Sequence, residues 1–182
     1  MKIYITGGPG SGKTFVSNTI AKRCNIGKLS LDEIVWDKYY KEKTTRERDE
    51  TLHNFLCNNK SWIIEGTYFD WLLDLFTKSD LIIFIQTNVM LRSFRILKRF
   101  LKNKISKNGK ESIKSLFHML LWNYRYEKNV KKEFVLFTKG FSFKIINVKD
   151  KDKIEYIENL ETILGVLNRA NNTHINPVNP DA

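Results

Sequence analysis

Cysteine is scarce: only Cys24 and Cys57 occur in 182 residues. Their separation fits neither a C-x-x-C redox pair nor the spacing of zinc ligands. Both fall on helix-like stretches, and they read as two buried thiols in a reducing cytoplasm. No apolar run approaches the ~18 residues that a membrane-spanning helix needs. The chain enters its first strand at once, so no signal peptide and a cytoplasmic location are expected. There is no internal repeat at solenoid period. No RRM, KH or OB module is recognisable, and no Asn-Lys-x-Asp guanine signature, which discounts a GTP-type switch. Acidic residues are thin in one place only. From Thr87 to Lys144 there are 15 Lys and Arg against 3 Asp and Glu, a net of +12. The rest of the chain holds 16 against 17, so the whole excess of the +11 chain sits in that segment. Such a segment can meet nucleic acid, an acidic membrane surface or a polyphosphate.

What the sequence does have is an alternation of short strands and helices. Strands are expected near residues 2–6, 28–31, 61–65, 81–86 and 143–148. Helices are expected from Phe15 to Cys24, from Arg46 to Asn58 behind an N-cap at Thr45, and from Phe69 to Thr77. Further helices follow from Val89 to Lys104, over most of Glu111 to Thr138 and from Asp152 to Leu167. Residues 33–45 read as irregular. The continuous apolar run Leu81-Ile82-Ile83-Phe84-Ile85 suits a strand covered on both faces. A βαβ pattern of this kind predicts a mainly parallel sheet in one domain over residues 1–168, with ~88–140 as a helical lid. Residues 169–182 are Asn- and Pro-rich and read as a disordered tail.

Between the first strand and the first helix lies Gly7-Gly8-Pro9-Gly10-Ser11-Gly12-Lys13-Thr14. It fits the phosphate-binding pattern G-x-x-x-x-G-K-[ST] in the strand–turn–helix context that the pattern requires. In the loop Gly8 to Thr14, backbone N–H groups (all but that of Pro9, which has none) converge on an anion at a helix N-terminus. Lys13 reaches the outer phosphates, and the Thr14 hydroxyl is a ligand for Mg²⁺. Ligands of a parallel sheet bind at the carboxyl ends of its strands, which brings Asp32 and Glu65 to the same rim. Glu65, ending Trp62-Ile63-Ile64-Glu65, is expected to be a second Mg²⁺ anchor or a substrate contact; otherwise it is an N-cap or turn acid before Gly66. Asp32 can take the proton of a hydroxyl acceptor as a general base. With a phosphate acceptor it would bind Mg²⁺ waters or orient substrate, and its structural alternative is a cap. On the basic helix, Arg92, Arg95 and Arg99 share a face, and the reading favours Arg95 and Arg99 as lid arginines over Arg92. Arg125, set among Trp122, Tyr124 and Tyr126, is a further lid candidate. Arg46 and Arg48 read as surface residues, or as contacts to an acidic substrate.

Four stretches, Gly7 to Thr14, Leu31 to Trp36, Trp62 to Tyr68 and Arg95 to Arg99, carry a resemblance; Trp122 to Tyr126 adds a weaker match. The chain resembles the P-loop kinases related to adenylate kinase, and among them the DNA topology modulation proteins. The resemblance implies a three-layer P-loop NTPase fold. Its sheet would be five-stranded and parallel in the order 2-3-1-4-5, with a mobile helical lid between the last two strands. Three departures stand out. The family's Asp-Gly-Asn-Tyr is Glu65-Gly66-Thr67-Tyr68 here, and its Gly-Cys-Pro lid segment is missing from Ile105 to Leu121. No arginine follows Gly66 as in the Asp-Gly-Phe-Pro-Arg motif of nucleoside-monophosphate kinases. The expected activity is an ATP-dependent phosphotransferase. It would move the γ-phosphate to a nucleotide, nucleoside or other small hydroxyl acceptor, with ATP and Mg²⁺ as cofactors. The alternative is a nucleic-acid-associated P-loop ATP-binding protein that uses the basic 87–144 segment and its aromatics Phe94, Phe100, Phe117, Trp122, Tyr124 and Tyr126.

Overall fold

The computed structural model describes residues 1–37, 41–105, 112–160 and 162. Strand β1 (Lys2–Gly7) sits at the middle of a five-stranded sheet with β2 (Gly27–Ser30), β3 (Trp62–Gly66), β4 (Leu81–Gln86) and β5 (Ile145–Lys149). The order is β2-β3-β1-β4-β5 and every pairing is parallel. Both expectations about the sheet are therefore met.

Alternation along the strands explains the layers, since successive side chains leave a strand on opposite faces. Ile3, Ile5, Ile63, Leu81, Ile83 and Ile85 point to one face and pack on Val16 and Ile20 of α1 (Lys13–Cys24) and Ile157 of α8 (Lys153–Glu158). Tyr4, Trp62, Ile64, Ile82 and Phe84 point to the other. There they meet Leu31 and Ile34 of α2 (Leu31–Val35), Leu75 and Phe76 of α4 (Leu73–Lys78) and Phe134 of α7 (Lys131–Phe137). Helix α3 (Thr45–Asn58) lies outside this layer through Leu52, Phe55 and Leu56. The first five residues of β4 are buried, as a doubly covered strand requires.

Local signals account for the ends. Thr44, not Thr45, caps α3, and Glu47 returns the bond in a capping box, a reciprocal pairing that satisfies two orphan amides. Strand β2 stops at Ser30, and Leu31 turns into α2 because its side chain is drawn into the core, 0% exposed. Asp32 thus stands in the first turn of a short helix, and residues 33–35 are helical rather than irregular. Helix α4 begins at Leu73, four residues later than its periodicity suggested. Neither cysteine is buried: Cys24 is half-buried and Cys57 exposed.

The described residues between β4 and β5 are mostly helical. Helix α5 (Val89–Ile105) packs on α6 (Ile113–Arg125), which runs through a π-helical turn (Tyr126–Val130) into α7. The far end is pinned to the sheet by rings: Phe134 lies 4.8 Å from Phe84 and 5.7 Å from Phe69 between centroids. Truncating such a buried ring costs about 3–5 kcal/mol, so α7 is held firmly and places the π-helical turn near β1. The expected loop around Asn108-Gly109, the end of the last helix beyond residue 162 and the tail 169–182 lie outside the described residues. No helix among the described residues is long and apolar enough to cross a membrane.

Candidate active site

The phosphate loop leaves β1 at Gly7 and enters α1 at Lys13. Gly12 is the N-cap at φ 93°, a left-handed conformation that a Cβ disfavours, and it supplies no capping side chain. The first amides of α1 have no acceptor inside the helix, and no acidic side chain sits in the first turn to take them. This donor set is free for an anion. Ser11 plays a different part from its neighbours. Its amide bonds to the Gly8 carbonyl at 3.1 Å, and its carbonyl accepts from buried Lys153. Its side chain is fully buried. Ser11 therefore braces the loop from behind.

Lys13 is 8% exposed and its Nζ donates to the carbonyls of Gly7 at 3.0 Å and Gly8 at 3.3 Å. Burial pushes its pKa down; the carboxylates of Asp32 and Glu65 oppose this, and the guanidinium groups of Arg92 and Arg99 add to it. Two acids and two arginines thus act electrostatically on one ammonium. Glu65, 2% exposed near the end of β3, accepts from Thr14 Oγ1 at 2.9 Å. This hydroxyl–carboxylate pair is a hard oxygen donor set. It suits Mg²⁺, which takes one or two carboxylates and fills its shell with phosphate and water. Among the described residues no group of three His, Cys, Asp or Glu side chains is gathered for a metal.

Asp32 is exposed on the first turn of α2, beside the Tyr68 hydroxyl. Burial, then the Asp32 charge, push the Tyr68 pKa up to about 12. Trp36 Nε1 donates to the same hydroxyl at 3.0 Å. Beneath them the Tyr4 hydroxyl donates to the Tyr68 carbonyl, and burial holds its pKa far above the ordinary value. Arg48 stacks over Trp71 at 3.8 Å, and Trp71 lies 6.2 Å from the Tyr68 ring. Arg48 therefore borders this aromatic corner, whereas Arg46 is exposed and paired with Glu50 at 2.8 Å.

The arginines of α5 part company. Arg95 grips Asp150 with two bonds, 2.6 and 2.8 Å. Asp150 also accepts from Thr87 at 2.8 Å and from Lys153. Arg95, then Lys153 and Thr87, hold the Asp150 carboxyl well below the usual carboxylate range against its burial. This network lies behind the loop at Ser11. Arg99 is exposed and faces Lys13 electrostatically. Arg92 is 2% exposed, paired with Glu127 at 2.8 Å, and lies against Gly8. Arg125 is exposed at the end of α6 and makes no ion pair with a described residue.

Of the three arginines the structure buries Arg92 most deeply, and sequence reasoning did not single out Glu127, Asp150 or Lys153. The signals existed. Positions i and i+7 share a helical stripe more closely than i and i+3, which joins Arg92 to Arg99 and leaves Arg95 aside. Asp150 follows the end of β5, so the strand-end rule that found Glu65 applies to it too. Glu127 is one of three acids in the basic segment.

No protein-family model matches this chain. A stretch of 84 residues is 31% identical to the uncharacterized protein YqaC of Bacillus subtilis (strain 168), covering 46% of this chain and 47% of that protein. The matched stretch thus spans about half the length of that relative. A gluconokinase from Sinorhizobium meliloti 1021 superposes with a TM-score of 0.55 at 14% identity, over 96% of this chain and 97% of that one. The shikimate kinase from Bacteroides thetaiotaomicron gives 0.48 at 16% identity, over 91% and 98%. The fold is that of a P-loop kinase.

Proposed function

We propose that this chain is an ATP- and Mg²⁺-dependent kinase that phosphorylates a small hydroxyl compound. The observation that carries the reading is the geometry of the phosphate loop: buried Lys13 donates to the Gly7 and Gly8 carbonyls, and Thr14 Oγ1 donates to Glu65 at 2.9 Å, with the charges of Asp32, Arg92 and Arg99 also acting on Lys13. Catalysis of phosphoryl transfer is mostly positioning and charge stabilisation, and these residues supply both. The uncapped start of α1 and Lys13 would bind the outer phosphates. Thr14 and Glu65 would hold Mg²⁺, which neutralises charge on the phosphates when bound. Arg99 would bind the transferred oxygens from the lid side.

Asp32 would accept the proton of the acceptor hydroxyl. Its carboxylate is exposed, so an acceptor can reach it, and it stands beside the Tyr68 hydroxyl that Trp36 holds. No arginine follows Gly66, which supports a hydroxyl over a monophosphate acceptor. A protein of this fold is a gluconokinase by name, in keeping with a small acceptor. As part of the same proposal we place the chain with the DNA topology modulation proteins. The stretches that carry that resemblance, Leu31–Trp36 and Trp62–Tyr68, hold Asp32, Glu65 and Tyr68.

The test is a screen of sugar acids, sugars, nucleosides and nucleoside monophosphates with ATP and Mg²⁺, following ADP release, with Lys13→Ala as control. Turnover with one acceptor class, lost in Lys13→Ala while the fold persists, is the expected outcome. Equal turnover by Lys13→Ala would refute the phosphate site.

A further inference from the structure

Arg92 is the most buried cationic side chain among the described residues, 2% exposed. Its surroundings balance it poorly. Nη2 donates to Glu127 Oε2 at 2.8 Å, but Glu127 is shared with Lys131, also at 2.8 Å. Nε is buried with no hydrogen-bond partner. A guanidinium has five N–H donors, and among the described residues Arg92 spends only one of them. A buried cation is costly unless its donors are met. Nη1 is the part turned to the phosphate loop: a Cβ on Gly8 would stand 1.7 Å from it. The Tyr126 ring backs the group at 5.0 Å, and the Arg92 carbonyl abuts Gly10. Arg92 and Lys13 repel each other electrostatically. Two buried cations face one glycine loop, with donors to spare on one of them. Such an arrangement suits an anion.

We propose that Arg92 is a catalytic residue that binds the terminal phosphate of a bound nucleoside triphosphate through Nη1, with Glu127 as its positioning residue. The assignment rests on the P-loop reading above and adds to it a second cation from α5. It also gives the π-helical turn a purpose. Such turns are rare and recur at functional sites; this one carries both Tyr126, which flanks the guanidinium, and Glu127, which orients it. Arg92 thereby links the loop that holds the nucleotide to the segment that leads into α7.

Calorimetric titration of the full chain with ADP and with a non-hydrolysable ATP analogue, both with Mg²⁺, tests this. Arg92→Lys should weaken the analogue on the order of 10- to 100-fold, the factor that a charge-assisted hydrogen bond carries. ADP affinity should stay within about twofold. Glu127→Gln keeps the shape and loses the charge; it should weaken the analogue by a smaller factor and also spare ADP. Thermal melts accompany each variant. If both variants melt lower yet keep the wild-type ratio of the two affinities, Arg92 is structural and the proposal falls. Equal weakening of ADP and the analogue refutes it as well, because the loop itself has then been damaged. Should the wild type bind neither nucleotide, the P-loop reading fails and this assignment falls with it.

Discussion

Replacing Gly8 with alanine tests the packing of Arg92 without any ligand. The new Cβ would lie 1.7 Å from Arg92 Nη1, 2.7 Å from its Cζ and 2.8 Å from Tyr126 Cδ1. Ordinary contacts fall near 3.5–4.0 Å, so roughly 2 Å of separation must be found. An exposed arginine would swing aside at little cost. This one is 2% exposed, tied to Glu127 and backed by the Tyr126 ring. Either the ion pair breaks or the loop moves. Overpacking of this kind costs about 1–3 kcal/mol. Breaking a fully buried pair costs about 3–5 kcal/mol, but Glu127 is 33% exposed and can be rehydrated. An expected loss of about 2–3 kcal/mol follows from these bounds. A chain of this size loses roughly 2–4 °C in Tm per kcal/mol, so the midpoint should drop by about 4–12 °C. The assay is thermal unfolding in four backgrounds: wild type, Gly8→Ala, Arg92→Ala and the double variant. Removing Arg92 opens the space, so the second alanine should cost much less there, with a coupling of about 1–2 kcal/mol. A Gly8→Ala protein that melts within 1 °C (roughly 0.5 kcal/mol) of wild type would refute the packing. So would an equal loss in both arginine backgrounds.

Three further outcomes are expected. Asp32→Asn should lower kcat on the order of 10²–10⁴ if it removes a general base, with nucleotide affinity nearly unchanged; retained turnover with loss of Mg²⁺ affinity alone would point to a phosphate acceptor. Arg95 and Arg99 should behave differently in steady-state kinetics and in melts. Arg99→Ala should lower kcat more than it raises KM, as loss of a transition-state contact does, whereas Arg95→Ala should lower Tm because Asp150 loses two hydrogen bonds. Equal kinetic effects without a stability difference would contradict the partition. Lastly, the carboxyl of Asp150 titrates below its ordinary value in the folded state. Its contribution to stability is then full above about pH 4, the unfolded value, and is lost as the pH falls below it toward the folded one. Urea unfolding between pH 5 and pH 2 (about one unit above and two units below the ordinary pKa) should show that slope, and Asp150→Asn should flatten it.

Strand character, the parallel sheet and the phosphate loop were legible in the sequence because each rests on local chemistry. A run such as Leu81–Ile85 has no stable place except between two layers, and the four glycines before Lys13 allow turns that other residues avoid. The strand-end rule then brought Glu65 beside Thr14, which the structure records as a hydrogen bond of 2.9 Å. Other features depended on what arrives from elsewhere in the chain. Nothing near Arg95 says that Asp150, 55 residues on, will take its guanidinium. Nothing near Arg92 announces that Glu127 and Tyr126 will bury it over Gly8. Helical periodicity assigns a face, and a face can meet solvent, substrate or protein. Which of these it meets is decided by the opposing surface. Here the aromatic cluster around Phe134 decides it, because it seats α7 on the sheet and so carries the π-helical turn to the phosphate loop. Ring packing of that kind sums many weak contacts between distant positions, and only the folded chain brings those positions together.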